Sequence, residues 1–140
     1  MALIPEAVVD KSALTRLRLP TVKSVLEPMI QQNRLATCPV VDLEVLFSAR
    51  NGSEWLRMYV DLEAMPTVPI NQAVCNRAIE VQGILWNSGK VRSVGIADLL
   101  IAAAAEIAGL PVLHYDSDFD VIASVSDLES SWVVPAGTAD

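Results

Sequence analysis

Short apolar runs alternate along the chain with longer segments in which apolar residues recur every three or four positions. The short runs predict β-strands, and the longer periodic segments predict α-helices. The predicted strands cover residues 7–9, 35–38, 67–70, 111–115 and 132–134. The predicted helices cover residues 11–19, 21–33, 40–50, 54–63, 72–87, 96–108 and 119–124. This alternation predicts the α/β class, as one three-layer α/β/α domain over residues 1–140 with a mostly parallel central sheet of four to five strands.

Polar and proline residues predict where several elements begin, bend or end. Asp10, Ser53 and Asn71 each precede a helical pattern and are predicted N-caps. Pro28 falls inside a helical pattern, so a kink or a split is expected there. The last residues, from about 135 to 140, are predicted to form a flexible tail.

Composition narrows the possible function classes. Hydrophobic residues make up 52% of the chain and aromatic residues only 5%, so the core is expected to be aliphatic. The net charge of -7 argues against a module that binds nucleic acid through its own basic surface. It still allows an enzyme that meets phosphate through a metal ion. The single histidine excludes a zinc site built on several histidine ligands.

Cysteine usage and the distribution of apolar residues suggest a compartment. Cys38 and Cys75 are interpreted as buried free thiols in a reducing environment, although a disulfide between them is not excluded by the sequence. The N-terminus lacks the features of a signal peptide. The most apolar stretch, residues 96–113, is interrupted by charges and a proline. We therefore expect a cytoplasmic protein that does not cross a membrane.

Carboxylates from separate segments are predicted to meet at one edge of the sheet. The carboxyl ends of parallel strands lie at a common edge, where α/β proteins place their ligands. Asp10 and Asp116 end predicted strands, Asp118 follows closely, Asp98 opens a helix, and Glu44 lies among apolar residues near the start of another. Such a cluster repels itself, and a divalent ion relieves the repulsion. Carboxylate ligands suit Mg²⁺ or Mn²⁺.

Each acid also has a simpler interpretation. Any of the aspartates could cap a helix or a turn, and Asp120 is better explained in that way than as a ligand. Capping does not explain Glu44, which has apolar neighbours at Leu43, Leu46 and Phe47. His114 is more readily a packed or hydrogen-bonded residue than a general base. Four basic residues could line the cleft and hold phosphate, or could simply be solvated: Lys11, Arg16, Lys90 and Arg92.

Four stretches together resemble a known family. They are residues 8–14, Glu44 in its apolar helix, residues 95–104 and residues 112–119. In order, spacing and total length they resemble PIN-domain ribonucleases, most closely the VapC toxins of type II (VapBC) toxin–antitoxin systems. The resemblance covers nearly the whole chain and implies a PIN-like fold.

The resemblance also implies a site and an activity. It implies an acidic quartet of Asp10, Glu44, Asp98 and Asp116, with Asp118 as an auxiliary metal ligand and Ser12 in support. His114 stands where many relatives have Thr or Ser. The implied activity is an endoribonuclease that uses one or two Mg²⁺ or Mn²⁺ ions to activate water, often on structured RNA such as tRNA. A homodimer and a VapB-type antitoxin that inserts a basic side chain into the cleft are implied partners.

Two other function classes stay open at this point. A PIN fold could keep its acids only to bind a basic segment of a partner, without catalysis. Another aspartate-based α/β domain could also be considered, such as a phosphoryl-accepting receiver or a haloacid-dehalogenase-like phosphatase. The phosphatase pattern requires Asp-x-Asp after the first strand, whereas this chain has Asp10-Lys-Ser. The receiver pattern requires an acid pair near the start and a late lysine after a strand, and neither is evident.

Overall fold

A parallel sheet lies at the centre of the computed structural model, which describes residues 4–89 and 94–140. The strands are β1 (Ala7–Val9), β2 (Leu35–Ala36), β3 (Val112–His114) and β4 (Ser130–Trp132), in the order β2-β1-β3-β4. Every pairing is parallel, and Val8 lies opposite both Ala36 and Val112. The predicted α/β class and the parallel sheet are confirmed.

Helices cover both faces of this sheet. They are α1 (Lys11–Leu14), α2 (Pro20–Gln31), α3 (Pro39–Phe47), α4 (Gly52–Glu63), α5 (Gln72–Asn87), α6 (Ile96–Ala108) and α7 (Asp118–Ala123). None of the helices in the described ranges has both the length and the apolarity that a bilayer crossing requires. Cys38 and Cys75 are both free thiols, as predicted, and Cys75 is only partly buried.

The core consists of two apolar clusters on opposite sides of the sheet. Alternation along β1 directs Val8 into one cluster and Ala7 and Val9 into the other. The first cluster contains the run of small residues from 102 to 105 in α6, which lets that helix lie close to the strands. α6 then ends at Gly109, whose φ of 72° is the left-handed conformation that glycine adopts most easily. Two-sided burial explains why the short inner strands are entirely apolar up to their polar ends.

Several predicted elements differ from those in the structure. The strand predicted at 67–70 is only an isolated bridge between Thr37 and Thr67, because Pro69 has no N–H to continue a ladder. Asn51, not Ser53, caps α4, and its side chain accepts the Glu54 N–H. Pro28 lies within a continuous α2.

Other boundaries shift by a few residues. The first predicted helix ends at Leu14 and continues as turns to residue 18. The last strand lies at 130–132 instead of 132–134. Asn71 caps α5 as predicted, by accepting the Val74 N–H.

The chain end, where a flexible tail was predicted, has contacts with the body of the domain. The Tyr115 hydroxyl accepts the Ala139 N–H at 2.9 Å and donates to the Asp140 carboxylate at 2.8 Å. The Arg16 guanidinium donates to the Ala139 carbonyl at 2.9 Å and lies 4.4 Å from the centre of the Tyr115 ring. Ala139 is buried as a result. A buried tyrosine thus supplies hydrogen bonds that connect the chain end to the rest of the domain.

We expect Tyr115→Phe to lower the free energy of unfolding by about 1–3 kcal/mol, because the buried Ala139 N–H would lose its acceptor. Urea denaturation measures the change. Tyr59→Phe is the matched control, since Tyr59 lies partly exposed on α4, and it should change stability by less than about 0.5 kcal/mol. Equal effects of the two substitutions would contradict the role given to the Tyr115 hydroxyl.

Candidate metal centre and active site

Carboxylates gather where β1 and β3 end. The two strands are neighbours, with Val9 opposite Leu113, so Asp10 and Asp116 follow them at the same edge. Asp98 lies in the first turn of α6, and Asp118 is the first residue of α7. One carboxylate oxygen from each of Asp98, Asp116 and Asp118 lies within 4.8 Å of the other two. That spacing is suitable for a shared divalent ion.

Asp10 has one oxygen that capping does not explain. Its Oδ2 accepts the Ser12 N–H at 2.9 Å, which makes Asp10 the N-cap of α1 as predicted. Its Oδ1 is buried and has no hydrogen-bond partner among the described residues. A buried carboxylate oxygen without a partner is costly, and a cation would remove that cost. Carboxylate oxygens are ligands that suit a hard ion such as Mg²⁺ or Mn²⁺, so the acids at this edge fit such an ion.

Glu44 lies half-buried on α3, close enough to the other acids to interact with them. Burial is the main cause that raises its pKa, Asp10 and Asp116 raise it further, and Lys11 opposes them. The prediction that Glu44 has apolar surroundings is wrong in part, since Leu43 is 69% exposed and Phe47 is 90% exposed. α3 instead buries Val41 against the core, which turns the side of Leu43 and Phe47 to solvent.

Burial and mutual repulsion together raise the pKa values of the acids at this edge. The pKa of Asp98 rises to about 8, first because of burial and then because of the charges of Asp10 and Asp116. A hydrogen bond with Asp118 also stabilises the protonated form of Asp98. The pKa of Asp118 is raised as well, by burial and by Asp116. Without a cation, the cluster therefore holds a proton near neutral pH.

Three further residues support the end of β3. The Ser12 hydroxyl accepts the Tyr115 N–H at 2.8 Å, which links α1 to the segment that carries Asp116. His114 is fully buried, and its Nδ1 accepts the Asp116 N–H at 3.0 Å. Burial lowers the pKa of His114 against the opposing effect of nearby carboxylates, so the ring is neutral at pH 7. Asp120 accepts hydrogen bonds from Ser130 and Trp132 and lies apart from the carboxylate group.

Sequence reasoning missed Ser130 and Trp132, which contact Asp120 and His114. A signal was available, because residues two positions apart on a strand share a face. The predicted strand began at Trp132, however, and left Ser130 outside.

The basic candidates have different surroundings. Lys11 lines a surface pocket of about 280 Å³ that also includes Glu44 and Phe47. Arg16 uses its guanidinium within the fold, where it also donates to the Ser12 carbonyl at 2.7 Å. Lys90 and Arg92 lie outside the described residues. Of the predicted phosphate contacts that lie in the described ranges, Lys11 is therefore the one found beside an acid of the site, Glu44.

We expect Asp98→Asn to stabilise the metal-free protein more at pH 8 than at pH 5. The folded state raises the pKa of Asp98 from 3.8 to about 8, so its stabilising contribution is complete below about pH 4 and is lost as the pH rises towards 8. Asparagine mimics the protonated form and does not titrate. Melting temperatures in EDTA at both pH values give the comparison.

The comparison between variant and wild type cancels the opposite contribution of His114. Because its pKa is lowered in the folded state, His114 favours unfolding as the pH falls below about 6.5 in both proteins. Asp127→Asn is the control. Asp127 is an exposed acid just before β4 begins, at the edge of the sheet opposite the carboxylates. A difference between Asp98→Asn and wild type that is constant from pH 5 to pH 8 would contradict the electrostatics described here.

Comparisons with known proteins agree with this geometry. A family model described as the PIN domain matches residues 7–125. The chain is 44% identical to ribonuclease VapC51 of Mycobacterium tuberculosis, over 94% of this chain and 95% of the relative. It is 43% identical to ribonuclease VapC21 of the same species, over 93% and 95%.

A solved structure shares the fold. The toxin–antitoxin complex VapBC-5 of Mycobacterium tuberculosis superimposes with a TM-score of 0.65 at 26% identity, over 92% of this chain and 99% of that one. The family match and the identity to two VapC ribonucleases over nearly the whole length lead to one conclusion: the chain belongs to the PIN-domain family and, within it, to the VapC ribonucleases.

Proposed function

We propose that this VapC-type ribonuclease is the toxin of a toxin–antitoxin pair and cuts RNA internally with the help of Mg²⁺ or Mn²⁺. The single observation that carries the proposal is the carboxylate edge. There a buried Asp10 oxygen, which has no hydrogen-bond partner in the part of the chain that the structure describes, accompanies acids that raise the pKa of Asp98 to about 8. Its VapC relatives are named ribonucleases, which supports the same activity.

Each acid has a distinct role in the proposal. Asp10, Asp98 and Asp116 hold the ion, and Asp118 assists them. When bound, one or two divalent cations supply charge that polarises the scissile phosphate and lowers the pKa of a water molecule. Glu44 orients that water and accepts its proton, for which a raised pKa is suitable near neutral pH. Hydrolysis would leave a 5′-phosphate.

Neighbouring side chains position these groups and the substrate. Ser12 fixes the Tyr115 amide and thereby the start of the segment that carries Asp116. Lys11 lies beside Glu44 in the pocket and would contact a backbone phosphate of the RNA. Its cationic charge opposes the rise in the pKa of Glu44 that burial and Asp10 cause.

The partners in this proposal follow from charge. An acidic cleft attracts a basic side chain, so a VapB-type antitoxin would inhibit the enzyme by placing one there. A structure described as a member of the VapBC family of toxin-antitoxin systems, from Mycobacterium tuberculosis, shares this fold, which supports an antitoxin partner. The homodimer is part of the proposal because the family resemblance implies it, and structured RNA such as tRNA is the first substrate class to test.

Asp98→Asn should reduce RNA cleavage by about 100-fold or more in Mg²⁺ or Mn²⁺, because even residues that only support a metal ligand contribute about 10- to 100-fold. Single-turnover cleavage of a labelled RNA measures the rate. Asp127→Asn makes the same change of charge at the edge of the sheet opposite the carboxylates. This variant should cleave RNA at the wild-type rate.

EDTA should abolish cleavage, and added Mg²⁺ or Mn²⁺ should restore it. If Asp98→Asn cleaves as fast as wild type, the assignment of the site is wrong. If wild type cleaves no RNA with either ion, the alternative is favoured, in which the acids only bind a basic segment of a partner.

A further inference from the structure

We propose that His114 is a positioning residue that holds Asp116 in its ligating orientation, and that Ser130 and Asp120 fix the ring from behind. The proposal rests on the metal-dependent function given above. It assigns a role to three residues that the carboxylate group itself does not include. Their hydrogen bonds run in a chain from the Asp116 amide through His114 and Ser130 to Asp120.

The hydrogen-bond partners determine the tautomer of His114. The Asp116 N–H can only donate, so Nδ1 of His114 must carry a lone pair. The proton of the ring is therefore on Nε2, which donates to the Ser130 hydroxyl at 2.6 Å. The Ser130 hydroxyl in turn donates its own proton to Oδ1 of Asp120, at 2.5 Å. Every donor in this chain faces an acceptor, and the ring is neutral by geometry alone.

Packing leaves the ring little room to turn. His114 has no exposed surface, and its ring centre lies 5.1 Å from those of both Phe119 and Trp132. Trp132 also donates from Nε1 to Oδ2 of Asp120, at 2.8 Å. Both oxygens of Asp120 are thus occupied on the β4 side. A flip of the imidazole would place Cδ2–H against the Asp116 N–H and Cε1–H against the Ser130 hydroxyl. Both hydrogen bonds of the ring would then be lost.

Asp116 is consequently held at both its backbone and its side chain. His114 accepts its backbone N–H, and Asp116 Oδ1 accepts the Asp118 N–H at 3.0 Å. A carboxylate that ligates a metal must be placed to within a fraction of an ångström, and indirect supports of such ligands contribute about 10- to 100-fold to metal affinity or activity. His114 supplies this support through the Asp116 amide and not through a carboxylate of the metal site.

Asparagine and leucine at position 114 form a matched test, because they are similar in size and shape. Asn can accept the N–H of the residue two positions later through Oδ1, whereas Leu cannot. We expect His114→Leu to weaken Mn²⁺ binding by about 10- to 100-fold. His114→Asn should recover most of that loss. Calorimetric Mn²⁺ titration measures both, and urea denaturation shows whether each variant folds.

If Leu and Asn weaken Mn²⁺ binding equally at equal stability, the residue acts only through packing and the proposal is overturned. A second measurement needs no variant. The ¹⁵N spectrum of histidine in the wild-type protein should show one neutral tautomer with the proton on Nε2. Ser130→Ala should keep that tautomer, because the Asp116 N–H still requires a lone pair on Nδ1.

A wild-type ring protonated on Nδ1 would overturn the proposal even if the His114 variants fail to fold. Neither measurement depends on RNA. A protein that binds Mn²⁺ as expected but cleaves no RNA would therefore refute the proposed function while the role of His114 still holds.

Discussion

Repulsion among the carboxylates at the ends of β1 and β3 is the constraint on which the rest of this structure depends. Asp98, Asp116 and Asp118 lie together, and the Asp10 charge acts on Asp98, because parallel strands and a helix N-terminus converge at one edge. The protein tolerates them by sharing a proton, since the pKa of Asp98 rises to about 8. A divalent cation would replace that proton and also give the buried Asp10 Oδ1 a partner.

The remainder of the fold holds the strand ends in place against that repulsion. Aliphatic clusters on both faces fix β1 and β3, and Ser12 joins α1 to the Tyr115 amide. The chain end closes over the same segment through Tyr115 and Arg16. Stability is thus supplied by the core and the hydrogen bonds behind the edge, which offset the cost of the buried acids.

Local periodicity predicted much of the fold and of the candidate site, because the buried strands are continuous apolar runs that end in Asp10 and near Asp116. Features that depend on tertiary contacts were predicted less well. Position in the sequence could not show that α3 turns Phe47 to solvent. It also could not show that a tyrosine hydroxyl holds Ala139, or that Ser130 lies behind His114. These contacts join segments far apart in sequence.

The central claim is that the carboxylate edge binds a divalent cation that displaces a proton. Calorimetric titration of the metal-free protein with Mn²⁺, in buffers of different ionisation enthalpy near pH 7, tests it most directly. We expect saturable binding with net proton release by the wild type. Asp10→Asn should bind more weakly, because the negative charge is lost and an NH₂ group would take the place of the buried Oδ1 while the amide oxygen accepts the Ser12 N–H. Absence of binding by the wild type, or equal affinity in Asp10→Asn without proton release, would contradict the account.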